Sequence, residues 1–185
     1  MILNKDEYLK TPKMYRKTLR EDIFIFPTDS MYSLGCDARN KELVSTIRTL
    51  KKSSVQPFSI IPPSRAWIEQ NCVVTESQKP YLKHLDDENP KLKGKSVTLL
   101  LDLKEGCELA KNVTQGTQNV SIKIFDHWFM QEAKNLGIPL IYTSANPAGG
   151  DLMTDLNNLS DTIKKKVGLI IYEGEKTGSP SMMIN

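Results

Sequence analysis

Two short stretches of the chain place small hydroxyl and amide side chains directly after an apolar run. Residues 141–149 read IYTSANPAG, and residues 26–38 read FPTDSMYSLGCDA. In α/β proteins, the loops at strand ends expose backbone and polar groups to bound ligands. Thr143, Ser144 and Asn146 can form several hydrogen bonds with little bulk. Both stretches are therefore candidate binding loops for a small polar ligand.

The loop in residues 26–38, here called the first polar loop, concentrates polar groups within six positions of a predicted strand. Thr28, Asp29, Ser30 and Tyr32 follow the apolar run closely. Hydroxyls at a strand end can hold the polar head of a small substrate. The other interpretation is a capped turn, in which Asp29 or Ser30 bonds to nearby backbone. Spacing alone favours the turn, because short motifs of this kind often match a binding motif by chance.

A basic cluster lies near the end of the first long predicted helix. Arg48, Lys51 and Lys52 occupy its C-terminal part, where cations interact favourably with the helix dipole. One interpretation is therefore a solvated helix end. The other is an anion site, since lysine holds phosphate or carboxylate oxygens as a point charge. Taken alone, the cluster favours the solvated helix end.

A lysine interrupts an otherwise apolar predicted strand. Lys123 lies between Ile122 and Ile124 in VSIKIF. A lysine in a half-buried strand usually marks the solvent face, but it becomes an anion ligand if that face lines a cavity. Asp126 and His127 follow directly. This pair favours a helix start over an acid–base dyad, because no serine nucleophile accompanies it.

The last polar stretch, GSPS at residues 178–181, precedes a short apolar run. Its hydroxyls suit either an exposed turn or a substrate contact from Ser181. The sequence contains no Walker-type phosphate loop and no glycine fingerprint of a dinucleotide-binding fold. A nucleotide would therefore be held by side chains and scattered loop amides.

Length and composition indicate an ordinary globular protein. A chain of 185 residues with 39% hydrophobic and 25% charged residues predicts one domain over residues 1–185. A net charge of +3 does not by itself imply nucleic acid. Three cysteines and two histidines lack metal-site spacing. The polar N-terminus and the absence of a membrane-spanning run predict a cytoplasmic protein without a membrane partner.

Hydrophobic patterning predicts short strands and amphipathic helices that must position these residues. Predicted strands cover residues 23–26, 57–61, 97–101, 120–124, 139–142, 169–172 and 181–184. Predicted helices cover residues 41–52, 65–71 after an N-cap at Ser64, 77–84, 127–136 between Asp126 and Gly137, and 156–167. Because strands and helices alternate imperfectly, we expect an α/β or α+β fold with an open, mixed sheet.

Several blocks together resemble the YrdC family, the threonylcarbamoyl-AMP synthases. In chain order they are FPTDSMYSLGCDA, KKSSVQPFSII, SVTLLLD with VSIKIFDH, TSANPAG and GSPSMMIN. The combination of TSANP-x-G with PTD-x-x-Y-x-LG is more specific than either motif alone. The resemblance runs from about Pro27 to the end of the chain and implies a YrdC-like fold, an open twisted sheet with flanking helices around a basic cavity.

The resemblance implies an ATP-dependent reaction. L-threonine and bicarbonate would form an N-carboxylated amino acid that attacks the α-phosphate of ATP, giving threonylcarbamoyl-AMP and pyrophosphate. A separate transferase complex would move the threonylcarbamoyl group to adenosine 37 of tRNA. Positioning and charge neutralisation would be the protein's task, with Mg²⁺ bound to the phosphates of ATP. No protein ligand to a metal is evident.

The resemblance also implies a role for individual residues. Threonine would be contacted by Thr28, Ser30, Lys123, Thr143 and Ser181. ATP would be contacted by Lys51, Lys52, Thr98, Ser144 and Asn146. Positioning of the reacting groups would depend on Lys52 and Lys123.

The chain departs from the family pattern at several of these positions. Ser30 and Ser33 replace a threonine and a glycine of PTDTVYGLG. Counting back from Pro57, Lys52 takes the arginine position of the KxR motif, unless a one-residue gap restores Lys51 as its lysine. Further changes are Lys123 for an arginine, Phe125 for a proline and Met182 for a hydroxyl residue.

These departures keep a second interpretation open. Each exchange of arginine for lysine costs about 1–3 kcal/mol if the lost contact was bidentate. Such losses lower affinity without abolishing turnover. The alternative to a synthase is a non-catalytic paralogue that binds RNA or nucleotide through the same cavity.

Overall fold

The computed structural model describes residues 1–52, 55–86, 96–177 and 182–184. Its strands are β1 Ile2–Asn4, β2 Phe24–Pro27, β3 Tyr32–Gly35, β4 Ser59–Ile61, β5 Cys72–Val73, β6 Ser96–Leu103, β7 Asn119–Phe125, β8 Leu140–Ser144, β9 Leu169–Tyr172 and β10 Met182–Ile184. Its helices are α1 Lys5–Lys10, α2 Pro12–Glu21, α3 Lys41–Lys51, α4 Arg65–Asn71, α5 Lys79–Asp86, α6 Lys111–Thr114, α7 Trp128–Leu136 and α8 Asp161–Lys164, with a 3₁₀ turn at Leu156–Asn158.

The described strands form one sheet of mixed direction. Their order is β1-β9-β2-β3-β8-β4-β7-β6-β10, with β5 paired to the C-terminal part of β6. The pairs β1/β9, β2/β9, β4/β7 and β6/β10 are parallel. The remaining pairs are antiparallel. The prediction of an open α/β sheet with mixed direction is therefore confirmed.

Apolar side chains of the central strands and of the flanking helices form the core. Phe26 of β2 stacks on Phe129 of α7 with ring centroids 4.4 Å apart. On α3, Val44 and Ile47 are fully buried, as expected for one face of an amphipathic helix. The Asn40 side chain accepts hydrogen bonds from the first free amides of that helix and fixes where it begins.

Most predicted elements are present, with ends shifted by a few residues. The cap at Ser64 and the helix stop at Gly137 are confirmed. The cap predicted at Asp126 is wrong, because the His127 ring accepts from the Phe129 amide instead. The continuous helix predicted over 156–167 is also wrong, since the chain there forms a 3₁₀ turn and the four-residue α8.

Sheet register brings two candidate side chains, Lys123 and Ser144, onto one face together with Tyr142. In a strand, residues two apart share a face, and paired residues on neighbouring strands do as well. Ser59 of β4 pairs with both Tyr142 and Ser121. Lys123 therefore shares its face with Tyr142, and Ser144 follows on the same face of β8.

Arg48 supports the connection between α3 and the sheet. Its guanidinium donates to the carbonyls of Asn112, Val113 and Gln56 at 2.7, 3.0 and 2.9 Å. It also lies 4.2 Å from the centre of the Phe58 ring. The solvated helix end is therefore wrong for Arg48, which is 8% exposed. The residue holds together three backbone segments.

We expect Arg48→Met to lower the free energy of unfolding by about 2–4 kcal/mol, because it leaves buried carbonyls without a donor. Urea unfolding followed by circular dichroism measures the change. Arg65→Met is the matched control, since Arg65 and Glu69 form a half-exposed pair on α4, and such pairs contribute less than about 1 kcal/mol. Equal stability of the Arg48 and Arg65 variants would contradict a structural role for Arg48.

Candidate functional site

The clearest polar contact between two candidate motifs is made by Lys51. This residue ends α3, and its ammonium reaches the TSAN stretch at the end of β8. It donates to the backbone oxygens of Ser144 and Asn146 at 2.7 and 2.8 Å. It also contacts the side-chain oxygens of both residues, at 3.1 and 3.3 Å. The basic helix end and the TSAN stretch therefore form one site.

Lys51 is buried, so its charge depends on these oxygens. The residue is 8% exposed, which contradicts the solvated helix end predicted for this cluster. Burial lowers the pKa of Lys51 to about 8, because desolvation disfavours the charged form. The accepting oxygens favour the ammonium. Lys51 is therefore protonated at neutral pH and places a positive charge beside the TSAN stretch.

The TSAN stretch is held in shape by its own side chains. Ser144 donates its hydroxyl to the Asn146 side-chain oxygen, and the Asn146 amide nitrogen donates to the Gly150 carbonyl. The Ala148 amide donates to the Lys51 carbonyl at 2.9 Å. The TSAN stretch and the end of α3 are thus joined by backbone as well as side-chain hydrogen bonds. This arrangement fixes the directions in which Ser144 and Asn146 present polar atoms.

The first polar loop forms a turn, as the spacing favoured, but the side chain that bonds to its backbone is Thr28 and not the predicted Asp29 or Ser30. The Thr28 hydroxyl donates to the Met31 carbonyl at 2.8 Å and accepts from the Met31 amide at 3.2 Å. Thr28 is fully buried, and Ser30 is 8% exposed. Tyr32, predicted to lie in the loop, begins β3 instead. The loop is therefore a rigid turn that holds Thr28 and Ser30 beside the sheet.

Lys123 is the second buried lysine of the site, and it is 2% exposed. Its ammonium lies 3.3 Å from the hydroxyl of Thr98, its partner on β6, and 3.5 Å from the hydroxyl of Ser96. The pKa of Lys123 is lowered overall, because burial lowers it more than the negative charge of Asp29 raises it. The solvent-face interpretation of Lys123 is wrong.

The remaining candidate residues lie in different surroundings. Lys52 is exposed and takes the left-handed conformation that ends α3, with φ at 49°. Thr143 pairs with Leu34, so strand alternation directs it to the face opposite Ser144. Ser181 lies outside the described residues. The structure thus groups Lys51, Ser144 and Asn146 in one contact network and leaves Lys52 and Thr143 apart from it.

Two groups with long-range contacts were missed in the sequence. Tyr142 looks like an ordinary strand residue in its local sequence. In the structure, the centre of its ring lies 5.6 Å from the Lys123 ammonium. Glu173 accepts from Trp128 and contacts His127 at 2.7 Å and Lys176. Burial raises the pKa of Glu173, but these contacts outweigh burial and lower it to about 2. Both groups depend on long-range contacts, which no local pattern indicates.

Grouped metal ligands and membrane-spanning helices are two features that the described ranges lack. Within them, no three histidine, cysteine, aspartate or glutamate side chains are grouped so that they could hold a metal ion. In the same ranges, no helix has the length and apolar character needed to cross a membrane.

Comparison with known proteins identifies the family. The model of the Sua5, YciO and YrdC proteins, described as "Telomere recombination", matches residues 17–185. The chain belongs to this family. It is 35% identical to the threonylcarbamoyl-AMP synthase of Bos taurus over 122 residues, which cover 65% of the chain and 41% of that protein. It is 28% identical to the putative threonylcarbamoyl-AMP synthase of Methanocaldococcus jannaschii over 187 residues, covering 98% of the chain and 83% of the relative.

Solved structures of the Sua5/YciO/YrdC family share the fold. P. abyssi Sua5 complexed with L-threonine matches with a TM-score of 0.77 and 22% identity, over 95% of this chain and 51% of that one. Escherichia coli YciO matches with a TM-score of 0.76 and 18% identity, over 99% and 88% of the two chains. The chain therefore spans about half of the Sua5 chain and 41% of the bovine relative.

We expect Lys51→Met to lower the free energy of unfolding by about 1–3 kcal/mol, because the oxygens of Ser144 and Asn146 lose their donor. Urea unfolding measures the loss. Lys165→Met, at an exposed lysine just after α8, is the control and should stay within about 0.5 kcal/mol. Equal stability of the two variants would mean that Lys51 does not hold the TSAN stretch.

The depressed pKa of Lys51 predicts a pH dependence. Its pKa is about 8 in the folded protein against an ordinary 10.5. Between these pH values the unfolded chain binds a proton that the folded chain has released, so the free energy of unfolding rises with pH. We expect this rise in the wild type relative to Lys51→Met, measured by urea unfolding at several pH values. A stability difference that stays constant across this range would contradict the depressed pKa.

Proposed function

We propose that the chain forms threonylcarbamoyl-AMP and pyrophosphate from L-threonine, bicarbonate and ATP. The observation that carries the proposal is the contact between the Lys51 ammonium and the oxygens of Ser144 and Asn146, which joins two motifs of the family in one basic site. Membership of the family and the curated relatives with this name support it. A second buried ammonium, on Lys123, lies on the same sheet face as Ser144.

The proposed reaction has two steps. The amine of threonine attacks bicarbonate, and loss of water leaves an N-carboxylate. An oxygen of that carboxylate then attacks the α-phosphorus of ATP, and the bond to pyrophosphate breaks. Both steps bring anions together, so fixed positive charge and fixed orientation lower the barrier. In this proposal the two buried lysines supply the charge, and the hydrogen-bonded TSAN stretch supplies the orientation.

The amino-acid site would lie around Lys123 and the first loop. Lys123 would bind the carboxylate of threonine, and Thr28 and Ser30 would hold its polar groups. Ser181 is proposed as a further threonine contact, whereas Thr143, on the opposite face of β8, is left out of this proposal. Burial of Lys123 supports this assignment, because a desolvated ammonium attracts an anion more strongly than an exposed one.

The ATP site would lie along Lys51, Ser144 and Asn146. Thr98 would extend it toward the amino-acid site, since its hydroxyl lies beside the Lys123 ammonium. Lys52, at the exposed end of α3, would reach the phosphates from the surface. Mg²⁺ enters the proposal as part of the substrate MgATP. Its ligands would be phosphate oxygens and water.

The product would serve a further reaction on RNA. We propose that residues 1–185 act as one domain, and that a separate threonylcarbamoyl transferase complex uses the product to modify adenosine 37 of tRNA. Threonylcarbamoyl-AMP is a mixed anhydride of a carbamic and a phosphoric acid, so AMP is a good leaving group for such a transfer.

A direct test incubates the protein with ATP, Mg²⁺, bicarbonate and L-threonine. We expect pyrophosphate release that depends on threonine, together with threonylcarbamoyl-AMP detected by mass spectrometry. Lys123→Met should raise the KM for threonine about tenfold or more, because a charged hydrogen bond to the carboxylate is lost. Omission of threonine controls for plain ATP hydrolysis.

The same assay separates the synthase from the non-catalytic paralogue. Absence of a threonine-dependent product, together with retained binding of nucleotide or tRNA, would overturn the proposed activity and favour the paralogue. Nucleotide and tRNA binding are measured by titration with fluorescently labelled ligands.

A further inference from the structure

The Tyr142 ring lies at the centre of the sheet face that carries Lys123 and Ser144. It is 8% exposed. Its centroid lies 5.9 Å from that of Phe125 and 6.3 Å from that of Phe26. Two aromatic neighbours and the sheet beneath therefore restrict its position. A ring held in this way is a rigid support for what lies over it.

One side of this ring faces the buried ammonium. The nitrogen of Lys123 lies 5.6 Å from the centroid of Tyr142, within the range of a cation–π contact. The same nitrogen lies near the hydroxyls of Ser96 and Thr98, and the negative charge of Asp29 acts on it. Lysine has a flexible four-carbon stem and no fixed donor geometry. The direction of its ammonium is consequently decided by the groups around it.

The phenol end of Tyr142 points toward the first polar loop. Burial and the negative charge of Asp29 raise the pKa of this phenol to about 12, and the nearby hydroxyls of Ser33 and Thr28 act against that rise. Ser33 itself is fully buried. The tyrosine thus extends from Lys123 to Thr28, two residues proposed above to contact the amino acid.

We infer that Tyr142 is a positioning residue of the amino-acid site, whose ring holds the Lys123 ammonium in the direction that meets an α-carboxylate. The inference rests on the proposed function for the identity of the ligand, an α-amino acid. The ring acts on the carboxylate through Lys123, and the phenol sets the distance between Lys123 and the Thr28 turn. Replacement of the ring should therefore weaken amino-acid binding and leave ATP binding unchanged.

Two variants separate the effect of the aromatic ring of Tyr142 from that of its hydroxyl. Tyr142→Leu keeps an apolar side chain and removes the π face, and Tyr142→Phe keeps the π face. We expect Tyr142→Leu to raise the Kd for L-threonine about two- to thirtyfold, the range of a cation–π contact. Tyr142→Phe should raise it less. Calorimetry measures both values, and a rise in KM without an equal fall in kcat would accompany them.

A double-mutant cycle tests whether Tyr142 acts through Lys123. Lys123→Met should bind threonine weakly, and adding Tyr142→Leu should weaken binding no further. Tyr15→Leu is the control: this half-buried tyrosine stacks on Tyr8 at the N-terminal helices, with centroids 5.8 Å apart, and its loss should leave threonine binding unchanged. Thermal unfolding and ATP affinity of each variant report any general damage to the fold.

The outcomes distinguish this inference from the proposed activity. Wild-type threonine affinity in Tyr142→Leu, or an equal loss in the presence and absence of Lys123, would overturn the positioning role while the activity stands. Threonine binding with the expected pattern but without product would support the positioning role and overturn the activity. Failure of the wild type to bind threonine would overturn both.

Discussion

Burial of the Lys51 ammonium against the TSAN stretch is the contact on which the site depends. An ammonium taken out of water is costly unless oxygens replace its hydration. Ser144 and Asn146 supply those oxygens, from backbone and side chain. The requirement works in both directions, because these oxygens need a donor where they are buried. The end of α3 and the end of β8 are therefore fixed relative to each other.

The mixed sheet supplies the second constraint, which is the choice of face. Strand alternation sends Ser144 to the face that carries Tyr142 and Lys123, and it sends Thr143 to the other. Neighbouring hydroxyl residues of one motif are thereby separated in space. Along the chain, the TSAN stretch looks like one continuous series of contacts. In the folded protein, its residues are divided between the two faces of the sheet.

The buried cations of this protein differ in what surrounds them. Arg48 donates to three backbone carbonyls and stacks on Phe58, so its hydrogen-bond donors are used to stabilise the fold. Lys123 lies among hydroxyls and an aromatic face, with the negative charge of Asp29 nearby. The charge of Arg48 therefore serves the stability of the fold, whereas the charge of Lys123 is the one proposed for ligand binding.

The sequence by itself determined the family motifs, most strands and helices, and the candidate status of Lys51, Ser144, Asn146 and Lys123. Periodicity and caps are local properties, so Ser64 and Gly137 could be assigned from their neighbours alone. The N-terminal elements and β3 were missed, and the segment 156–167 was wrongly predicted as one helix, because short elements depend on tertiary packing more than on propensity.

Only the tertiary structure decided which charges are buried and which side chains meet. Arg48, Lys51 and Lys52 look alike in the sequence, yet the first two are 8% exposed and the third is exposed. The contact of Tyr142 with Lys123 joins strands that are not neighbours in the sheet. Burial and cross-strand register are set by the whole sheet, and a residue's local sequence carries no record of them.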